Sequence, residues 1–178
     1  MLRYSLIFGS VIGVVVIAFM IVVMLAMGTD DPGVSELMGY AVMLAVLSLV
    51  FIGIKRFRDV EHGGVIKFTQ AAGVGIGIAV VAGFFYTISW EVYLHLSDFA
   101  FIDAYAEGLK SAVIAEGLSA DEQAAKLAEI DASMANYANP LVRVPITFIE
   151  IFPVGLLVAL ISAFVLKNPK VLPARASA

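Results

Sequence analysis

The chain has no cysteine among its 178 residues, only two histidines and a single tryptophan. Without thiols, disulfides, thiolate catalysis and cysteine metal sites are all excluded. Charge is scarce too: Asp, Glu, Lys and Arg make up 15% of the chain, against about a quarter in a soluble domain. The 11 basic residues lie mostly beside apolar runs rather than in a patch that could grip a phosphate backbone, so no nucleic-acid partner is expected. What abounds is apolar. Hydrophobic residues reach 61% and the mean hydropathy is +0.98, the composition of a chain dissolved in a bilayer. This length holds a handful of spans and one small extramembrane element, and no second globular domain is expected.

A helix rising 1.5 Å per residue needs about 20 apolar residues to cross a hydrocarbon core of about 30 Å. Four stretches qualify: residues 6–27, 37–54, 68–94 and 144–166. The first is too long for a signal-peptide apolar region, and Ala26-Met27-Gly28 is a poor cleavage site, so an uncleaved helix is expected. The expected fold class is therefore an all-α integral membrane protein. It forms one membrane domain over residues 1–178, with four transmembrane helices and an extracytoplasmic helical hairpin between the third and fourth.

Basic residues beside spans are retained in the cytoplasm. Arg3, then Lys55, Arg56, Arg58 and Lys67, then Lys167, Lys170 and Arg175 all fall on one side of a four-span path. Both termini are expected on that side. The other side receives Asp30, Asp31 and Glu36, and an acidic segment over residues 97–143 whose basic residues are Lys110, Lys126 and Arg143.

That segment reads as two amphipathic helices. Phe99, Ile102, Tyr105, Ala106, Leu109 and Val113 recur at three- and four-residue spacing, as do Ala124, Leu127, Ile130, Met134 and Tyr137. Between them Gly117 suits a helix C-terminus, and Ser119 to Glu122, "SADE", has the spacing of a capping box. Two readings stand for the stripes: they pack on each other, or one is kept for a partner.

The connection between the second and third spans, "GIKRFRDVEHGGVIKFTQA" at Gly53 to Ala71, has a basic turn, the pair Arg58-Asp59, and Gly63-Gly64, whose permissive torsions let a short loop reverse. Lys55, Arg56 and Arg58 suit anionic headgroups, at about 1 kcal/mol each; an anionic ligand or partner is the sharper alternative. Together with "NPLVRVPITFIEIFPVGLLVALISA" at Asn139 to Ala163, this loop resembles that of a bacterial membrane family catalogued as domain of unknown function 4199. The resemblance covers essentially the whole chain. It implies four spans and an inner-membrane location, and no activity.

Small residues mark helix contacts. Ser5, Gly9 and Gly13 are spaced by four on the first span, and Gly73 and Gly77 repeat that spacing on the third, with Gly75 and Gly83 nearby. Such stripes let backbones approach closely in lipid, within one chain or between copies.

The few ionisable groups near the spans form two stripes. Thr87, Glu91, His95 and Asp98 line the external end of the third helix, and Arg143, Thr147 and Glu150 line the fourth from the same side. Trp90 and Tyr93 place Glu91 near the headgroups. Pro153 denies an amide to the Ile149 carbonyl beside Glu150. Three readings compete. In the first, the stripes face each other, Arg143 pairing with Glu91 or Asp98 and Glu150 meeting His95 or a threonine. In the second, Glu150 with Glu91 and His95 handles protons or ions. The third is a metal or hydrolytic centre, for which the paired histidines of a zincin are missing and His62 lies across the membrane, so no metal or cofactor is expected. The function classes that follow are an accessory or scaffolding protein binding a membrane-protein partner or itself, and a small oligomeric transporter. An enzyme would need more converging polar groups than this chain offers.

Overall fold

A computed structural model describes residues 1–27 and 32–174. Asp30, Asp31, Gly28 and Arg175, and the side chain of Glu36, lie outside the described part. The described residues fold as helices α1 (Leu2–Met27), α2 (Pro32–Leu47), α3 (Leu49–Glu61), α4 (Phe68–Leu96), α5 (Ala100–Ala115), α6 (Ala120–Tyr137) and α7 (Pro140–Leu166). Four stretches are long and apolar enough to cross a membrane: Leu2–Phe19, Gly39–Glu61, Phe68–Leu96 and Pro140–Leu166. This is a multi-pass membrane protein.

Two of the boundaries that differ from the expectation bear on the charged and capping residues. The second span runs past residue 54 to Glu61, so Lys55, Arg56 and Arg58 belong to a helix rather than to a basic turn. The Lys55–Asp59 pair, one turn apart, bridges that added turn. The fourth helix starts at Pro140 rather than at 144, because Asn139 accepts from the Leu141 amide at 3.0 Å and Pro140 needs no amide partner in the first turn. Between α2 and α3 the Ser48 hydroxyl donates to the Ala45 carbonyl and the Phe51 amide donates to Ser48, tightening one turn of a nearly continuous span.

Glycine sets the helix register. A methyl built on Gly9 would meet Val81 and the Ile78 carbonyl, one on Gly13 would lie 2.5 Å from the Ala82 carbonyl oxygen, and one on Gly77 would strike Ser5. Residue numbers rise together across this contact, so α1 and α4 run parallel. Across α4 and α7 they run in opposition: Gly75 meets Ala159, and Gly83 meets Phe148. The core between these helices holds Ile12, Val16, Leu47, Ile54, Ile78 and Ile151, all buried. Gly73, expected in the same stripe, is exposed with open space around it, because it points away from α1. Gly13→Ala is therefore expected to cost about 1–3 kcal/mol by overpacking, whereas Gly73→Ala is expected to stabilise by up to about 1 kcal/mol of helix propensity. Thermal unfolding of both variants in detergent checks the opposite signs.

The hairpin of α5 and α6 is built as its sequence reads. Gly117 turns with φ of 67°, and the Ser119 hydroxyl accepts from the Glu122 amide while Glu122 accepts from the Ser119 amide. Lys110 bonds Asp131 at 2.8 Å and Lys126 bonds Glu116 at 2.5 Å, tying the helices together. On the apolar stripes Val113 is buried and Leu109, Leu127, Ile130 and Met134 are half-buried, whereas Ala124 is exposed.

Candidate functional site

The hairpin's two ends return to the bundle where α4 ends and α7 begins. There α4 stops at Leu96, and Asp98 and Phe99 take left-handed torsions of 47° and 61°. Such torsions are unusual for a bulky residue and turn the chain sharply into α5. They bring the Phe99 ring over the Arg143 guanidinium, 5.3 Å from its centroid.

Arg143 is 1% exposed, and its guanidinium is engaged on every side. Its Nε and Nη2 donate to the two carboxylate oxygens of Glu91, each at 2.7 Å. Its Nη1 donates to the carbonyls of Tyr137 and Ala138 at 3.2 and 3.1 Å, where α6 ends. A fork against a carboxylate is the strongest common form of charge-assisted bond. Trp90 adds a further tie by donating to the Tyr137 hydroxyl at 3.1 Å. One side chain from α7 thus joins α4, the α6 terminus and the α4–α5 turn.

The other members of the two stripes lie elsewhere. Thr147 and Thr87 are buried, each donating to the carbonyl one turn back on its own helix. His95 is exposed; its Nδ1 lies 2.8 Å from the Glu91 carbonyl, which only accepts, so Nδ1 carries the hydrogen. Asp98 is exposed at the turn, and Arg143 spends its fork on Glu91 instead. Glu150 does not meet His95. The helices are antiparallel, so with Glu91 opposite Arg143 the two residues diverge by about 16 Å of helical rise. Glu150 sits exposed on a flank of α7, with an interaction inside its own chain. Among the described residues no group of three or more metal-ligating side chains gathers.

At the opposite end, Gly63 and Gly64 turn with φ of 60° and 89°, and the His62 and Gly64 amides both donate to the Arg58 carbonyl. Lys55 pairs with Asp59, and Arg56 is exposed. Arg58, expected beside headgroups, is 0% exposed. Its donors go to Asp59 at 2.7 Å and to the carbonyls of Val171 and Leu172 at 3.0 and 2.6 Å, with Leu166 at 3.5 Å. A cation at the end of α7 also suits the helix dipole.

A family model described as a protein of unknown function (DUF4199) matches residues 7–168. The chain belongs to this family. No curated protein and no solved structure matches it. The match spans both ends of this DUF4199 bundle, the Arg143 junction and the Arg58 turn alike.

Sequence reading missed four participants in this DUF4199 chain. Phe99 appeared only as an apolar stripe residue, Tyr137 likewise, and nothing marked Val171 and Leu172 as acceptors for Arg58. Outside the spans, the Ser119 hydroxyl and amide hold the Glu122 carboxyl below its ordinary range, and the Asp131 carboxylate bonded to Lys110 holds that ammonium above its own. The depressed Glu122 contributes stability present above its unfolded value and lost as pH falls through its folded one. Hairpin helicity is expected to fray in that acidic window and Glu122→Gln to narrow the change, which amide exchange across residues 119–123 reads out.

Proposed function

We propose that this protein is an accessory or scaffolding component of the bacterial inner membrane, holding a helical hairpin on the external face and binding a membrane-protein partner or a second copy. The observation that carries this reading is the Arg143–Glu91 fork. An ion path needs a polar group able to exchange partners with water or substrate. Arg143 instead has each donor nitrogen directed to a fixed acceptor within the chain. Such a junction fixes how the hairpin stands on the bundle, which is what a docking element requires.

The orientation rests on charge. Lys55, Arg56, Lys67, Lys167 and Lys170 lie at the end opposite the hairpin, so both termini belong in the cytoplasm, where the exposed Arg56 faces anionic lipid. A reporter fused near Asp121 is expected to signal externally; a cytoplasmic signal reverses the assignment. For the function itself, the test is a tagged pull-down from native membranes in mild detergent, with the eluted particle sized and its components identified. A stoichiometric foreign protein or a defined oligomer supports the scaffold, and a lone monomer overturns it.

The exposed position of Glu150 favours one second reading, a small oligomeric transporter. Glu150 lies on a flank of α7 rather than in the bundle centre, so a path past it would run between copies. Loss of proton or ion flux in Glu150→Gln proteoliposomes would support it.

A further inference from the structure

The glycines that let helices meet are largely used within the chain: Gly9, Gly13 and Gly77 line the α1–α4 contact, and Gly75 and Gly83 the α4–α7 contact. A contact with another chain has to use a different surface. The flank of α7 around Glu150 differs from an ordinary lipid-facing one. Glu150 is seven residues past Arg143, hence about 10 Å further into the membrane along the helix. Ile146, Ile149, Pro153 and Leu157 around it are all exposed. Ionisable residues at such depth are found against protein or water rather than hydrocarbon, because a carboxyl loses its hydration there.

The same flank supplies an acceptor. Pro153 has no amide hydrogen to give the Ile149 carbonyl, next to Glu150 in sequence. One patch therefore holds a carboxyl, which donates when it carries a proton, and a carbonyl that only accepts. A two-fold interface sets a patch against itself, residue i meeting j while j meets i. No cation is needed from outside, and the buried Arg143 and Arg58 are bonded elsewhere. Glu150 already interacts within its own chain, and the two oxygens of a carboxyl allow a further bond.

We propose that this flank of α7 is the contact between two copies of the chain, with Glu150 of each copy bonding the other copy's Glu150 or Ile149 carbonyl. The proposal rests on the scaffolding reading and names its partner as a second copy.

Because the chain has no cysteine, single introduced cysteines report proximity directly. Ile149→Cys and Leu157→Cys, oxidised in native membranes in the full chain, are expected to give about tenfold more disulfide-linked dimer than Ile88→Cys or Gly73→Cys, which are exposed on α4 instead. Adding Glu150→Gln is expected to keep the α7 cross-links, since an amide both donates and accepts, and adding Glu150→Lys to abolish them. Equal cross-linking at all four positions, or none at Ile149 and Leu157, overturns the proposal. If that failure comes with a foreign protein in the pull-down, the scaffold stands with a different partner; if it comes with a lone monomer, both readings fall.

Discussion

Arg143→Ala is expected to cost about 3 kcal/mol of folding stability, near the lower end for breaking a buried ion pair, because it leaves a carboxylate without its cation. Glu91 is 20% exposed, which tempers the loss. The same change removes the donors to Tyr137 and Ala138, so the C-terminus of α6 also loosens from α7. Arg143→Lys keeps the charge but presents no fork, and is expected to recover less than half of the deficit. The single tryptophan serves as a local probe, since Trp90 stands beside Glu91 and bonds Tyr137. Its emission is expected to shift red in Arg143→Ala before the helical signal is lost. Unchanged emission and unchanged unfolding would remove Arg143 from this role.

Arg58→Ala is expected to release the segment after α7. The guanidinium is buried and bonds carbonyls from Leu166 to Leu172, so its loss leaves several acceptors without donors and a cavity in their midst. Hydrogen bonds to a charged donor are worth about 1.5–3 kcal/mol each, and the summed cost is expected at about 3 kcal/mol once the tail rehydrates. Leu172 holds a φ of 45°, a left-handed torsion at the residue whose carbonyl Arg58 holds. Limited trypsin digestion is expected to cut after Lys167 and Lys170 about tenfold faster in Arg58→Ala. Arg56→Ala, altering an exposed neighbour, is expected to leave the rate unchanged. Equal rates in both variants would show that the tail is held by something else.

The four apolar helices were legible because hydrocarbon demands long uncharged runs, and the hairpin because Gly117 and "SADE" mark a stop and a start. The second span was harder. Lys55, Arg56 and Arg58 look like the edge of a membrane, yet i,i+4 pairing to Asp59 and the use of Arg58 inside the fold carry the helix to Glu61. Hydropathy locates charge but does not reveal whether a charge is buried.

Register explains the rest. Helical spacing put Glu91 and Arg143 on facing stripes with Glu150 deeper along its helix, but it could not say that Glu150 would lie to one side, because that follows from which glycines allow α4 and α7 to touch. The bonds from Arg58 join residues 113 and 114 positions apart, and no local pattern announces such a pairing. Phe99 was hidden for a different reason. Its left-handed torsion is a feature of the turn, and apolar periodicity cannot distinguish a helix residue from one that leaves the helix.

The claim that the Arg143 cluster at the hairpin end of the bundle is a structural junction is tested most directly by a double-mutant cycle of Glu91→Gln and Arg143→Ala, with unfolding followed in lipid bicelles. A fixed fork predicts strong coupling: the double variant should be about 1–3 kcal/mol more stable than the sum of the two single losses implies. Additive effects would mean that the two side chains act independently and would contradict the junction.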